Sequence, residues 1–202
     1  MSPIKKNQIL PPAFFERDSL LCARELIGMV LTHGECGGRI IETEAYREVG
    51  DTASHLFTRP SAREFVRRHP PGSAYVYLNY GVHWLVNVLC HDPVSGTSGF
   101  VLFRALEAIS GMEQMEQRRG IGDLRQLCSG PGKLTAALGI DRTHHGLPLT
   151  ESTDFSLHRS LGAVPPEIVT DRRIGISTAR ELPWRFLEKD HPGVSVRAGK
   201  AR

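Results

Sequence analysis

Three stretches of strand character carry side chains that an apolar sheet does not ordinarily tolerate. In Arg39–Tyr46 a period of two places Ile40, Glu42, Glu44 and Tyr46 on one face and Ile41, Thr43 and Ala45 on the other, so two carboxylates and a phenol share a side. In His83–Leu89 the face with His83, Leu85 and Leu89 also carries Asn87, and in Val101–Leu106 a lone Arg104 interrupts an apolar run. Between the first two lies Ala74–Leu78, where Tyr75 and Tyr77 share a face. Burying a carboxylate, an amide or a guanidinium is costly unless each finds partners. Singly, each has a bland reading: Glu44 a strand-edge carboxylate, Asn87 a satisfied core amide, Arg104 a salt-bridge partner. Together, beside paired tyrosines, they point to a polar pocket floored by the sheet. A carboxylate base with an arginine beside it and aromatic walls suits hydrolysis at a flat heterocycle. Parity alone does not choose between Glu42 and Glu44.

Other signatures fail on spacing. Ser98 and Ser129 lack the flanking glycines of a nucleophile elbow. Gly130-Pro131-Gly132-Lys133-Leu134-Thr135 is not a nucleotide loop, which would need glycine at Leu127 and a hydroxyl at Leu134. It could hold a phosphate on the amides that open the next helix, helped by Lys133. His144 with His145, His33 with Cys36, and Cys90 with His91 are metal candidates only by residue type, so no metal site is expected. Tyr80-Gly81 falls at a hairpin tip, where a large exposed aromatic reads either as folded back on the core or as a wedge for a base stack.

The elements that must position these residues follow from punctuation and period. Leu20–Ile27 reads as a helix with Asp18 or Ser19 as N-cap and Gly28 past its end, followed by a strand near Met29–Thr32. Ser110-Gly111-Met112-Glu113 has capping-box spacing for a helix to about Arg119, and Pro131 opens a helix ending at Gly139. Residues 141–170 read as a surface excursion before a last strand near Arg173–Ile176. The class is α+β: a mainly antiparallel sheet with helices, in a single domain spanning 1–202.

Composition agrees with that scale. The 202 residues are 40% hydrophobic and 23% charged, with 20 Gly and 13 Pro spread as turns, which is ordinary globular usage. No apolar stretch approaches the ~18 residues of a membrane span, and the N-terminal lysines lack an apolar segment behind them, so a cytoplasmic, membrane-free protein is expected. Cys22, Cys36, Cys90 and Cys128 make no short-spaced pair and are expected as reduced, half-buried thiols. The net charge of +3 is mild, but arginine dominates the basic residues. Two clusters, Arg59/Arg63/Arg67/Arg68 and Arg172/Arg173/Arg180/Arg185, point to one face for a polyanion.

Five motifs in order then carry a resemblance: Ile41–Tyr46 followed by His55, Ala74–Asn87, Val101–Glu107, Leu127–Leu134, and Arg173–Ile176 with Pro183–Phe186. They closely resemble the alkylpurine (3-methyladenine) DNA glycosylase family of the mammalian type, over nearly the whole chain from Phe14 onward. The resemblance implies a curved antiparallel sheet. It further implies base excision repair: a damaged purine (3-methyladenine, 7-methylguanine, hypoxanthine, ethenoadenine) is flipped from double-stranded DNA and its N-glycosidic bond cut by water, leaving an abasic site. No lyase step and no cofactor are implied, and a monomer is expected. By the same resemblance Glu44 activates the water, Arg104 helps hold it and a main-chain carbonyl within 173–176 is a third support. Tyr46 and Tyr77 sandwich the base with His55 on the wall, where cationic purines gain cation–π attraction. Asn87 crowds the 2-amino group of guanine and Tyr80 fills the place of the flipped base. Arg63 and Lys133 match DNA contacts, with Arg68 and Arg185 as further phosphate candidates, and replacing Glu42 is expected to matter much less than replacing Glu44.

Two features depart from the family pattern: the loop 56–71, and His83 where some relatives have tyrosine. A non-catalytic module for distorted nucleic acid would keep the wedge and the basic clusters but would have no use for Glu44 and Arg104 together. A lyase would need an amine in the pocket, and Lys133, the one lysine far from the termini, matches a phosphate contact.

Overall fold

The β-branched and aromatic runs of the sequence become the long central strands. The structure is a computed structural model and describes residues 8–159 and 165–200. Its strands are β1 (Val30–His33), β2 (Cys36–Arg47), β3 (Ala74–Asn79), β4 (His83–Asp92), β5 (Thr97–Ser110), β6 (Phe155–His158), β7 (Ile168–Asp171) and β8 (Arg185–Glu188). All pairings are antiparallel, in the order β3-β4-β5-β2-β1-β6. Strand β8 pairs with the second half of β2, opposite Glu42–Glu44, and carries β7 on its outer side. The sheet curls into a half-barrel, with helices α1 (Ser19–Glu25), α2 (His55–Thr58), α3 (Pro60–Arg68), α4 (Met112–Arg119), α5 (Leu124–Leu127) and α6 (Pro131–Leu138) around it. The expected α+β class with a curved antiparallel sheet is therefore the one adopted.

Strand alternation sorts the two faces. On β4, Val86, Val88 and Cys90 join Phe103 of β5, Leu31, Leu26, Met115, Leu134 and Leu138 in the main core. Leu89 and Phe100 point the other way, into a smaller cluster with Leu56, Ala62, Phe65 and Tyr75 beneath α2 and α3. Between that satellite cluster and the strands lies the open face of the sheet.

The local expectations hold where capping chemistry is unambiguous. Asp18 caps α1, accepting the Leu20 N–H at 2.8 Å, and Gly28 follows it at φ +89°. Pro131 opens α6 and Gly139 closes it in the left-handed conformation. Others are corrected. Ser110 is the last residue of β5, and α4 is capped by Gly111 at φ +67° with no side-chain cap. The reason is packing: a Cβ at Gly111 would lie 2.8 Å from Cys36, so the chain turns there on a glycine and the capping box never forms. The stretch 141–170 is not mere excursion, since β6 is buried along its length against β1 and β7 begins at Ile168; residues 160–164 lie outside the described residues. Arg173–Ile176 is irregular backbone, and the last strands are β7 and β8. All four cysteines are free and fully buried, not half-buried. Among the described residues no helix is long and apolar enough to cross a membrane.

Candidate active site

Two register breaks make the site. Along β2 and β5 the pairing steps from Ile40↔Leu106 to Glu42↔Ala105, which leaves Ile41 without a partner, and then to Thr43↔Phe103, which leaves Arg104 without one. The first break overturns strict alternation. Ile40 belongs to the main core with Ala45, so it does not share the face of Glu42, Glu44 and Tyr46. The second lets Arg104 point to the same side as the two carboxylates without displacing the apolar residues that follow it. Bulges re-aim side chains in this way beside functional sites, and two of opposite sense restore the register beyond.

The result is a buried ionic cluster. Glu42, Glu44 and Asp51 are at most 1% exposed, and Arg104, Arg173 and Arg185 are 6%, 2% and 0% exposed. Glu42 accepts four hydrogen bonds: from Arg104 Nε at 3.1 Å, Arg185 Nη1 at 2.9 Å, and the Ser195 hydroxyl and amide at 2.8 and 2.6 Å. Asp51 also accepts four, two from Arg173 at 2.6 and 2.7 Å and one each from the amides of Arg47 and Ala53. Glu44 accepts three. Its Oε2 takes the Tyr46 hydroxyl at 2.8 Å and Arg104 Nη1 at 3.3 Å, and its Oε1 takes only the Ile174 amide at 2.7 Å. A carboxylate offers about four acceptor positions. Among the described residues Glu44 takes the fewest donors of the three; its Oε1, like Glu42 Oε2, takes one, and what separates the two is that Tyr46, Arg104 and Ile174, the partners of Glu44, all line the cavity described next, whereas Arg185 and Ser195, which hold Glu42, do not. The segment 173–176 reaches Glu44 through the Ile174 N–H.

Above this cluster is a cavity of about 600 Å³ lined by Tyr46, His55, Tyr77, Asn87, Arg104 and Ile174, with Arg59 and Tyr80 at its mouth. The expected wall and floor residues are therefore brought together. Tyr75, not singled out as a site residue, is what sets the wall. It stacks on Phe100 with centroids 4.4 Å apart, and its hydroxyl lies 3.1 Å from His55 Nδ1. His55 is thereby presented edge-on to Tyr77, at 4.5 Å between centroids. Burial, reinforced by the nearby Arg59 cation, lowers the His55 pKa to about 4. Burial above all, with the Glu44 charge next, holds the Tyr46 phenol well above its ordinary value, and Tyr77 is raised chiefly by burial as well. Asn87 donates its side-chain amide to the Tyr75 carbonyl at 3.1 Å, which fixes the orientation of its amide group.

At the rim, Tyr80 is 88% exposed, so it is not folded back on the core. The turn Asn79–Val82 is closed by the Val82 N–H on the Asn79 carbonyl at 3.0 Å, and its central residues Tyr80 and Gly81 both have positive φ, 50° and 69°. Glycine adopts that region freely; an aromatic residue is strained there by roughly 1–2 kcal/mol. The hairpin is braced from beneath by α6, where Gly132 approaches His83 so closely that a Cβ would come within 2.8 Å, and Thr135 donates to the Trp84 carbonyl at 2.6 Å. Lys133, on the same helix, donates to Gln126 and Ser129.

The basic clusters resolve unevenly. Arg173 and Arg185 are buried ion-pair partners, so Arg185 has no surface to offer a phosphate. Arg67 and Arg68 pair with Glu64 in solvent, and Arg63 donates to the carbonyls of Leu56 and Phe57 at the end of α2. Sequence reasoning missed Asp51 and Ser195 altogether. Nothing local marks their place in the cluster, because the Arg173 that Asp51 binds and the Glu42 that Ser195 binds are 122 and 153 residues away. Among the described residues no group of three or more His, Cys, Asp or Glu side chains is placed to hold a metal.

Comparison with known proteins completes the description. The sequence pattern of the methylpurine-DNA glycosylase family matches residues 13–192. Relatives bearing the provisional name 3-methyladenine DNA glycosylase include one from Rhodopseudomonas palustris strain HaA2, 49% identical over 183 residues, or 91% of this chain and 88% of the relative. One from Nitrosospira multiformis is 44% identical over 87% of this chain and 88% of its own, and one from Chlorobaculum tepidum 40% identical over 89% and 90%.

Two outcomes follow from the geometry. Replacing Tyr80 by Asn, which tolerates positive φ, is expected to raise stability by about 1 kcal/mol in urea unfolding, because strain leaves with the ring; a loss of stability would mean that the tyrosine contributes to packing. The His55 ring is expected to titrate near pH 4 by NMR. Between an unfolded-state value of about 6.5 and that folded-state value, acid favours the unfolded chain, so the His55 contribution to stability is lost as the pH falls through that window. A midpoint near 6.5 would contradict the buried, Arg59-flanked setting.

Proposed function

Because the chain belongs to the methylpurine-DNA glycosylase family, and is thus a DNA glycosylase of base excision repair, we propose that it flips a damaged purine from duplex DNA into the cavity above Glu44 and hydrolyses the N-glycosidic bond. The observation that carries this reading is that the three groups bonded to Glu44, Tyr46, Arg104 and Ile174, all line the aromatic-walled cavity, whereas Glu42 is held by Arg185 and Ser195, which do not.

In this mechanism the purine stacks between Tyr46 and Tyr77, with His55 on the wall and Asn87 excluding the 2-amino group of guanine. Tyr80 occupies the vacated place in the stack, and unstacking is easiest at a damaged pair, which itself contributes selectivity. Glu44 is fully shielded in the empty site, so the water it activates is one enclosed beneath the bound base. That water gives its proton to Glu44 while its oxygen bonds to C1′ of the sugar. The C1′–N bond breaks, and its electron pair leaves with the purine. Arg104, held by Glu42 and Ser195, orients the carboxylate, and the Glu44 charge, until it takes the proton, stabilises the oxocarbenium character that develops on the sugar. Among the described residues no lysine lines the cavity, which favours a water-only reaction over an amine-dependent lyase step. Lys133 and Arg63 are the proposed backbone contacts on double-stranded DNA.

Glu42 and Glu44 are predicted to fail differently. Glu44→Gln is expected to remain folded and to bind lesion duplex while base release in single turnover falls by roughly 10²–10⁴-fold, the usual worth of a general base. Glu42→Gln leaves Arg104 and Arg185 short of a buried counter-charge, so it is expected to lose about 3–5 kcal/mol of stability. Base release by the folded Glu42→Gln protein is still expected to fall much less than in Glu44→Gln, because the role proposed for Glu42 is structural. Base release that survives Glu44→Gln would sink the assignment.

A further inference from the structure

Both rings that would sandwich the purine already carry a guanidinium. Arg173 lies over Tyr46 with its Cζ 4.6 Å from the centroid, and Arg59 lies over Tyr77 at 5.5 Å. The two are not equivalent. Arg173 is buried and neutralised by a bidentate Asp51, outside the cavity lining. Arg59 lines the cavity mouth, and among the described residues no carboxylate lies within ion-pair distance of it, whereas its neighbours Arg67 and Arg68 are paired to Glu64. The carboxylates of the floor are engaged by Arg104, Arg173 and Arg185, with Asp171 also on Arg185, so among the described residues Arg59 is the cation at the slot without an ion-pair partner of its own.

We propose that Arg59 is a specificity-determining residue that biases this site against positively charged purines and toward neutral damaged ones. The inference rests on the glycosylase reading above and reverses the sequence expectation that cation–π attraction favours cationic bases. A ring whose quadrupole already faces one cation attracts a second less strongly. A cationic purine against Tyr77 would also be repelled by the Arg59 guanidinium that lies over the same ring, and at a rim dielectric such repulsion is enough to shift a binding ratio by roughly tenfold. The site already acts in this sense on one of its own groups, since the Arg59 cation disfavours protonation of His55. Cationic bases leave the sugar more readily, so the discrimination opposes their chemical advantage at the binding stage.

The test compares kcat/KM for 3-methyladenine release from methylated duplex with that for hypoxanthine release from a single-lesion duplex, in the wild type, Arg59→Gln and Arg59→Lys. Arg59→Gln is expected to raise the cationic-to-neutral ratio about tenfold, and Arg59→Lys, which keeps the charge, to leave the ratio near that of the wild type. A ratio unchanged in Arg59→Gln, with both rates reduced alike, would make Arg59 a backbone phosphate contact and overturn the inference alone. A wild-type protein that releases neither base would overturn the glycosylase reading and the inference with it.

Discussion

The structure depends on one arrangement: three carboxylates and three guanidinium groups withdrawn from water together. Burial of any one alone would be prohibitive, and even as pairs they contribute little net stability, because desolvation offsets most of the attraction. What they impose is geometry. To bring Glu42 and Arg104 onto one face, β2 and β5 must each carry a bulge. To supply Arg185, β8 must pair with the second half of β2, opposite Glu42–Glu44. To complete the shell of Glu42, the chain near its end must return so that the Ser195 amide and hydroxyl face the carboxylate. Asp51 and Arg173 do the same for the segment that presents the Ile174 amide to Glu44.

Within that cluster the carboxylates divide their roles by what holds them. Glu42 is bound to Arg185 and Ser195 and Asp51 to Arg173, all outside the cavity lining, and both act as struts. Glu44 is bound to Tyr46, Arg104 and Ile174, which line it. The same logic runs through the rim, where an exposed Tyr80 sits in a backbone region that glycine or asparagine would occupy without strain. Stability is given up at the residue proposed to enter the DNA, and recovered where α6 braces the hairpin from beneath. Arg59 is a third case, a cation at the cavity mouth with no ion-pair partner among the described residues.

Much of this was legible in the sequence because the anomalies were local. Acidic residues at alternate positions, an arginine inside an apolar run and a Tyr-Gly tip each break a short-range rule, and each lies at the cavity. Capping and turn chemistry likewise placed α1 and α6. The rest was hidden for identifiable reasons. Period-two counting cannot register an unpaired residue, so Ile40 was put on the wrong face. Strand β6 is short and rich in polar side chains, Ser156 and His158 among them, yet it is buried by pairing with a strand more than 100 residues earlier. Arg173 and Arg185 look like surface arginines until their distant partners are known. Asp51 and Ser195 are ordinary loop residues by any local measure.

The central claim is that Glu44 holds the attacking water beneath a purine stacked on Tyr46 and Tyr77. It is tested most directly by a crystal structure of the protein on duplex DNA with a slowly cleaved purine lesion. The account predicts an ordered water about 2.7 Å from Glu44 Oε1, in line with the sugar C1′ and on the side away from the Ile174 amide. The damaged base should lie between the two tyrosines, with Tyr80 in the stack. A complex in which Glu44 contacts only protein groups, with the base bound elsewhere and no water between Glu44 and the sugar, would contradict it.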